Sequence, residues 1–278
     1  MEKVTIEDLK KLYLPPKESH KGENGKLTII GGSKLFYGAS LWALKVASRI
    51  IDMVFYASIP ENNELTKKLK SEIFDFIAVP REKVEEYIRE SDAVLIGPGL
   101  PREEGRAPEE ETTYNLTQRL LARFPQKKWI IDAGSLTEME PNFLNKNCLI
   151  TPHKKEFETL FGVTSDVSHI QQMAKKYDCV ILLKGPTDII CSPTECKISE
   201  GGNPGMTKGG TGDVLAGLAA ALACKNDLFL AACAASFINK RAGEELAKKV
   251  GYYFNASDLA DQIPLTMKEY VFAQFHHQ

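Results

Sequence analysis

Residues 201–222, GGNPGMTKGGTGDVLAGLAAAL, set seven glycines around a single carboxylate, Asp213, directly ahead of an Ala/Leu-rich helical stretch. Bare glycines before a helix let backbone N–H groups converge on an anion, and the helix dipole adds partial positive charge at the same point. Gly209, Gly210, Thr211 and Gly212 would form that cradle. An Asp in the first turn of a helix is also comfortable as a simple cap. An acid beside a bound anion is otherwise repelled, however, so the stretch points to Asp213 accepting a proton from a hydroxyl that meets a phosphoryl group held by the neighbouring amides. No G-x-x-x-x-G-K-[ST] loop is present, and the glycines of GGSKLFYGAS do not follow G-x-G-x-x-G, so neither an ordinary P-loop nor a dinucleotide-fold fingerprint accounts for the site.

Other polar residues fall at strand ends, each with a functional and a plain reading. His153, after Thr151-Pro152, either meets a ligand or caps the next helix. Lys184 either neighbours a phosphate or is a solvated charge. Asp132 serves a metal or substrate, or accepts hydrogen bonds from loop amides. Gly97-Pro98-Gly99 is needed for a tight turn in any case. Phe157 and Phe161, at i, i+4 spacing, are expected in the core. His276-His277 is expected to be a flexible tail rather than a metal site. Cys191 and Cys196 are expected to be reduced strand residues, neither ligands nor a disulfide.

The elements that must position these residues follow from periodicity. KLTIIGGS precedes a helix from about Tyr37 to Asp52, MVFYASIP one near Glu61 to Ser71, and DFIAVP the helical REKVEEYIRES. DAVLIGPG, KKWIIDAG, NCLITPH and CVILLKG each end in Gly, Pro or a polar residue. Continuous apolar strands alternating with helices predict a mostly parallel central sheet covered on both faces. TDIICSPTECKIS reads as a small antiparallel hairpin at one side of it. TIEDLKKLYLPP predicts a short helix with Thr5 as cap and Asp8 in its first turn. Ligands of such sheets bind beyond the carboxyl ends of the strands.

The 278 residues, with 35 basic against 37 acidic side chains and 43% hydrophobic content, suit one α/β domain over 1–278 with a sizeable core. No linker or repeat divides it. Without a Lys/Arg block, nucleic acid is a poor partner. The longest apolar run, Val214 to Cys224, is too short to cross a bilayer, and the start lacks an export signal, so a cytoplasmic protein is expected. Apolar helical faces in the C-terminal part make a homo-oligomer the expectation.

Taken in order, SHKGENGKLTIIGGS, YGAS, LIGPGL, IIDAGSL, LITPHKKEFETLFG, LLKGPTDII and GNPGMTKGGTGDVLAGL resemble the ADP/ATP-dependent NAD(P)H-hydrate dehydratases of the ribokinase-like superfamily. The resemblance implies an α/β ribokinase-like fold and a repair enzyme that removes water from hydrated NADH or NADPH. ATP or ADP would be the phosphoryl donor, Mg2+ the cation, and a separate NAD(P)H-hydrate epimerase the functional partner. It also implies site roles. Asp213 corresponds to the catalytic acid beside the hydrate's hydroxyl; Ala39, Gly99 and His153 line the hydrated-nicotinamide site. Lys184, Gly185, Pro186, Thr187 and Asp188 meet the adenine nucleotide with Gly212, and Glu156 organises magnesium through water.

The chain departs from the family pattern at several points. Gly134 stands where a second Asp is common, Pro101 where a glycine is usual, SRIIDMVFYAS lacks glycines often found there, and Thr187 comes one place early. The epimerase domain sometimes fused ahead is not expected here. Two alternatives use the same features: a small-molecule kinase of the superfamily, acting on an alcohol such as hydroxyethylthiazole, and a non-catalytic nucleotide-binding protein. The combination of HKGENGK, YGAS and TPHKKE favours the dehydratase.

Overall fold

A computed structural model of the chain describes residues 1–68, 75–102 and 111–275. Ten strands form one sheet: β1 (Glu2–Lys3), β2 (Lys26–Ile30), β3 (Met53–Ser58), β4 (Ile77–Pro80), β5 (Ala93–Ile96), β6 (Lys128–Ile131), β7 (Cys148–Ile150), β8 (Val180–Leu183), β9 (Asp188–Cys191) and β10 (Cys196–Ser199). Their spatial order is β1-β10-β9-β8-β7-β6-β5-β2-β3-β4. Only β9 runs against its neighbours; every other pairing is parallel.

The apolar runs read as buried on both sides, and they are. Along β5, Leu95 faces one core while Val94 and Ile96 face the other; along β6, Ile130 opposes Trp129 and Ile131 in the same way. The first core is covered by α2 (Tyr37–Ala47), α9 (Thr211–Lys225), α10 (Leu228–Val250) and α11 (Ala256–Tyr270). The second is covered by α4 (Val84–Glu90), α5 (Thr113–Arg123), α6 (Ala133–Glu138), α7 (Lys154–Phe161) and α8 (Val167–Lys176). Phe157 is fully buried there and packs on Phe161, as its spacing predicts. Among the described residues no helix is long and apolar enough to cross a membrane.

Several expectations need correction. Helix α2 ends at Ala47 rather than Asp52, because residues from Ser48 turn back toward β3. The N-terminal helix, α1 (Ile6–Leu9), is a single turn; the Asp8 carboxylate accepts from the Thr5 N–H at 2.9 Å, as its spacing suggests. Helix α3 (Pro60–Lys68) is present, but its expected end at Ser71 lies outside the described residues, as does His276-His277. The hairpin β9–β10 lies at one side of the sheet, as expected, with the two-residue β1 pairing beyond it. Cys191 and Cys196 are joined by a disulfide, not reduced. The hairpin register sets them directly opposite, with Cα atoms 4.1 Å apart, a juxtaposition that the sequence spacing alone does not reveal.

The strand order reverses beside β2: the chain goes outward through β3 and β4, then returns to the other side of β2 as β5. Loops after β2 and β5 splay apart at such a switch point and leave a crevice at the carboxyl ends.

Candidate active site

A cavity of about 560 Å³ occupies that crevice. Its walls come from the segment after β2 (Leu35, Phe36, Ala39), the turn after β5 (Gly99, Leu100, Arg102) and the start of α6 (Ala133, Gly134), with Asp213 from α9. Three of the residues expected to meet substrate, Ala39, Gly99 and Asp213, thus share one cavity. Gly134 has a packing reason: a Cβ there would lie 2.4 Å from the Leu100 carbonyl oxygen, so the turns after β5 and β6 close on each other only without a side chain.

Asp213 is set by the turn before it. Gly210 caps α9 at φ +95°, a left-handed conformation, and a Cβ there would come within 2.5 Å of the Trp42 ring. The Thr211 hydroxyl donates to the Met206 carbonyl at 2.6 Å and contacts that of Lys208 at 2.9 Å, tying the turn together. Lys208 is itself engaged, its ammonium donating to the Phe254 carbonyl at 2.6 Å. Gly209 has open space where a side chain would stand, so its backbone is reachable.

Behind Asp213 lies a charged cluster. The Lys184 ammonium donates to Asp132 Oδ1 at 2.7 Å and lies 3.9 Å from Glu156 Oε2 and close under Gly212. Asp132 and Glu156 are buried. Burial works to discharge Lys184, but Asp132, Glu156 and Asp213 outweigh it and hold its pKa above the ordinary value. Burial likewise pushes Asp213 up, the Asp132 carboxylate adds to this, Lys184 opposes it and Glu156 adds again, placing it at about 7. No side chain among the described residues donates a hydrogen bond to its carboxylate. A carboxylate poised near neutrality and facing a cavity suits a proton acceptor.

The remaining expected residues divide. His153 takes the plain role as well as a place near the cluster: its Nδ1 accepts from the Glu156 N–H at 3.2 Å, and Glu156 Oε2 accepts from the His153 N–H at 2.8 Å, a reciprocal cap on α7. It does not line the cavity. Asp132 accepts from Lys184, a role distinct from both alternatives weighed for it. Asp188 turns inward, accepting from the Gly185 N–H at 2.9 Å and the Ser236 hydroxyl at 2.6 Å. Its carboxylate therefore holds the loop, while Gly185, Pro186 and Thr187 are exposed. Lys240, which sequence reasoning passed over, pins that loop: its buried ammonium donates to the Gly185 and Pro186 carbonyls at 3.0 and 3.1 Å and sits 3.3 Å from Asp188. The available signal was a lysine within an otherwise apolar helical face.

The sequence matches the Carb_kinase family model, NAD(P)H-hydrate dehydratase, over residues 27–265. The chain belongs to the NAD(P)H-hydrate dehydratase family. It is 35% identical over 283 residues to the ADP-dependent (S)-NAD(P)H-hydrate dehydratase of Nitrosopumilus maritimus, covering 94% of this chain and 96% of that one. It is 38% identical over 274 residues to the bifunctional NAD(P)H-hydrate repair enzyme Nnr of Methanocaldococcus jannaschii, covering 94% of this chain but 52% of that one. The chain thus spans about half the length of the bifunctional relatives it matches. The fold is similar to that of the Bacillus subtilis ADP/ATP-dependent NAD(P)H-hydrate dehydratase co-crystallized with ATP/Mg2+, with a TM-score of 0.78 at 23% identity over 97% of this chain and 98% of that one. A hydroxyethylthiazole kinase from Pyrococcus horikoshii shares the fold more distantly, at a TM-score of 0.53 and 16% identity over 93% of this chain and 91% of that one. The ribokinase-like fold of the dehydratase family is therefore that of this chain, with its switch-point crevice.

Proposed function

We propose that residues 1–278 act as one NAD(P)H-hydrate dehydratase domain, converting hydrated NADH or NADPH back to the reduced dinucleotide with ATP or ADP as phosphoryl donor. The observation that carries this reading is Asp213: a side-chain-unpartnered carboxylate that faces the cavity at the switch point and adjoins an open glycine turn. Hydroxide leaves a carbon poorly and phosphate leaves it well. Asp213 takes the proton of the substrate hydroxyl as its oxygen bonds to the terminal phosphorus and the bond from that phosphorus to the leaving nucleotide breaks. The lone pair of the ring nitrogen then expels phosphate, and loss of a proton from the adjacent ring carbon restores the double bond. The turn at Gly209 to Gly212 offers backbone N–H groups to the phosphoryl oxygens, and Lys184 adds fixed positive charge beside them. Ala39 and Gly99 shape the wall against the ring, and residues 185–187 receive the nucleotide.

The residues fit a magnesium ion bound through water. Asp132, Glu156 and Asp213 outnumber the single Lys184, leaving hard oxygen donors in excess, yet no group of three among the described residues closes on one point. Mg2+ keeps several waters and takes one or two carboxylates with substrate phosphates. Glu156 would hold it, and when bound it neutralises charge on the phosphoryl oxygens. Pairing with an epimerase activity is part of this proposal, supported by the bifunctional relatives, and so is a homo-oligomer, supported by exposed apolar residues such as Leu265.

The test is incubation with hydrated NADH, ATP or ADP, and Mg2+. The expected result is recovery of the near-ultraviolet absorbance of the reduced ring with stoichiometric phosphate release. Phosphorylation of a small alcohol without recovery would point to the kinase instead, and nucleotide binding without turnover to the non-catalytic protein.

A further inference from the structure

A second cavity of about 360 Å³ adjoins the first, and the described residues show Arg102 in the wall of both. Leu100 lines the first and Pro101 the second, so the chain itself passes from one to the other. Among the described residues Arg102 is the single cation lining either, and it forms no hydrogen bond or ion pair with any of them. Its place is nonetheless fixed: the buried Thr113 hydroxyl donates to the Pro101 carbonyl, tying the backbone beside Arg102 to the start of α5. The rest of the second cavity is polar, lined by Thr112, Tyr114, Asn115 and the acidic Glu138. The Thr112 hydroxyl already accepts from the Asn115 N–H at 3.0 Å, so that helix start is capped from within and leaves Arg102 as the available anion partner.

A dinucleotide has two nucleoside halves joined by a diphosphate. If one half must bring its ring to Asp213, the other needs a separate compartment, and the diphosphate needs a cation between them. Two cavities meeting at one guanidinium without a partner among the described residues match that pattern. The exposed loop at 185–187 and Gly209, on which the phosphoryl donor depends, line neither cavity, which separates the donor from this path.

We propose that Arg102 binds the diphosphate of the hydrated dinucleotide and that the second cavity receives its adenosine half, with Tyr114 offering a face to the base. This rests on the dehydratase reading. Pro101, where the family pattern has glycine, then has a purpose: its ring and the bond from Thr113 stiffen the chain that presents Arg102.

The experiment compares the full chain with Arg102→Ala and Arg102→Lys on two substrates, hydrated NADH and hydrated dihydronicotinamide riboside, which lacks diphosphate and adenosine. Arg102→Ala is expected to raise KM for hydrated NADH about tenfold, in keeping with loss of one charge-assisted contact. It should leave KM for ATP unchanged and alter KM for the riboside much less than that for hydrated NADH, and Arg102→Lys should restore part of the loss. Raising the salt concentration should shrink the difference, because the contact is exposed. Equal effects on both substrates, an effect on KM for ATP, or no effect while the wild type turns over hydrated NADH would overturn the inference. If the wild type turns over neither substrate, the dehydratase reading fails on its own. Calorimetry with ADP-ribose then tests the second cavity directly: binding weakened by Arg102→Ala supports it, and equal binding or none overturns it.

Discussion

Two glycine-bearing turns with a nearby aspartate sit at opposite ends of the sheet, and they use the same residue types in opposite ways. At the amino end, GENGK enters β2, and Asp52 accepts from the Gly22 N–H at 2.8 Å, the Asn24 N–H at 3.1 Å and the Asn24 side chain at 3.2 Å. Burial alone would raise the Asp52 pKa, but the donors of Asn24, Gly22 and Glu23 outweigh it and hold it below the ordinary 3.8. At the carboxyl end, GGTGD enters α9, and Asp213 has no side-chain donor and a pKa of about 7. The first acid is spent on its own chain, the second is kept in reserve. HKGENGK therefore lies at the opposite end of β2 from the cavity that Asp213 faces, and Asp52 closes the turn on itself there.

The largest break in this contrast should come from Asp213→Asn. It keeps the shape and removes the proton acceptor, so turnover of hydrated NADH should fall by about 100- to 10,000-fold while the circular dichroism spectrum stays that of the wild type. In the wild type, kcat/KM should fall about tenfold per pH unit below about 7, as the free-enzyme carboxylate protonates. A flat profile down to pH ~5 would remove Asp213 from the proposed role.

Gly210→Ala comes next. It forces a side chain onto a left-handed turn and against Trp42, which should cost about 1–3 kcal/mol in urea unfolding and weaken ATP binding as well. Unchanged stability would mean that the turn before α9 relaxes without loss.

Asp52→Ala should lose about 1–2 kcal/mol of stability, the donors of Gly22 and Asn24 being left to water, with kcat and KM unaltered in the folded protein. Lost activity at full folding would show that the two ends of the sheet are coupled.

The comparison sharpens further through the sign of the pH dependence. Asp213 has a raised pKa in the folded state, so its charge opposes folding; that cost is absent below about pH 4 and fully present above about pH 7. Asp213→Asn should accordingly melt higher than the wild type at pH ~8 and converge with it toward pH ~4. Asp52 has a lowered pKa, so its contribution is present above 3.8 and lost as the pH falls through its folded value. Asp52→Ala should show the opposite trend in melting temperature.

Much of the architecture could be read from local pattern. Apolar runs ending in Gly or Pro mark the parallel strands because a strand buried on both faces needs continuous hydrophobicity, and Ser-Pro between two β-rich runs marks the hairpin. Gly210 and Asp213 stood out because a glycine cluster followed by an acid at a helix start is a local arrangement, complete within a few residues. What the sequence by itself determined about this protein is therefore the kind of sheet, the face that carries the loops, and the acid at the head of α9.

Contacts between distant segments were decided only by the tertiary structure. The hairpin register placed Cys196 against Cys191; Ser236 and Lys240, about fifty residues beyond Asp188, drew its carboxylate inward; and Lys184 reached across to Asp132. The raised pKa of Asp213 is of the same kind, since it arises from burial and from the carboxylates of Asp132, after β6, and Glu156, in the first turn of α7. The physical reason is range: conformational preference and hydrophobic period act over a turn or a strand, whereas side-chain pairing and desolvation depend on which strand ends the sheet order brings together.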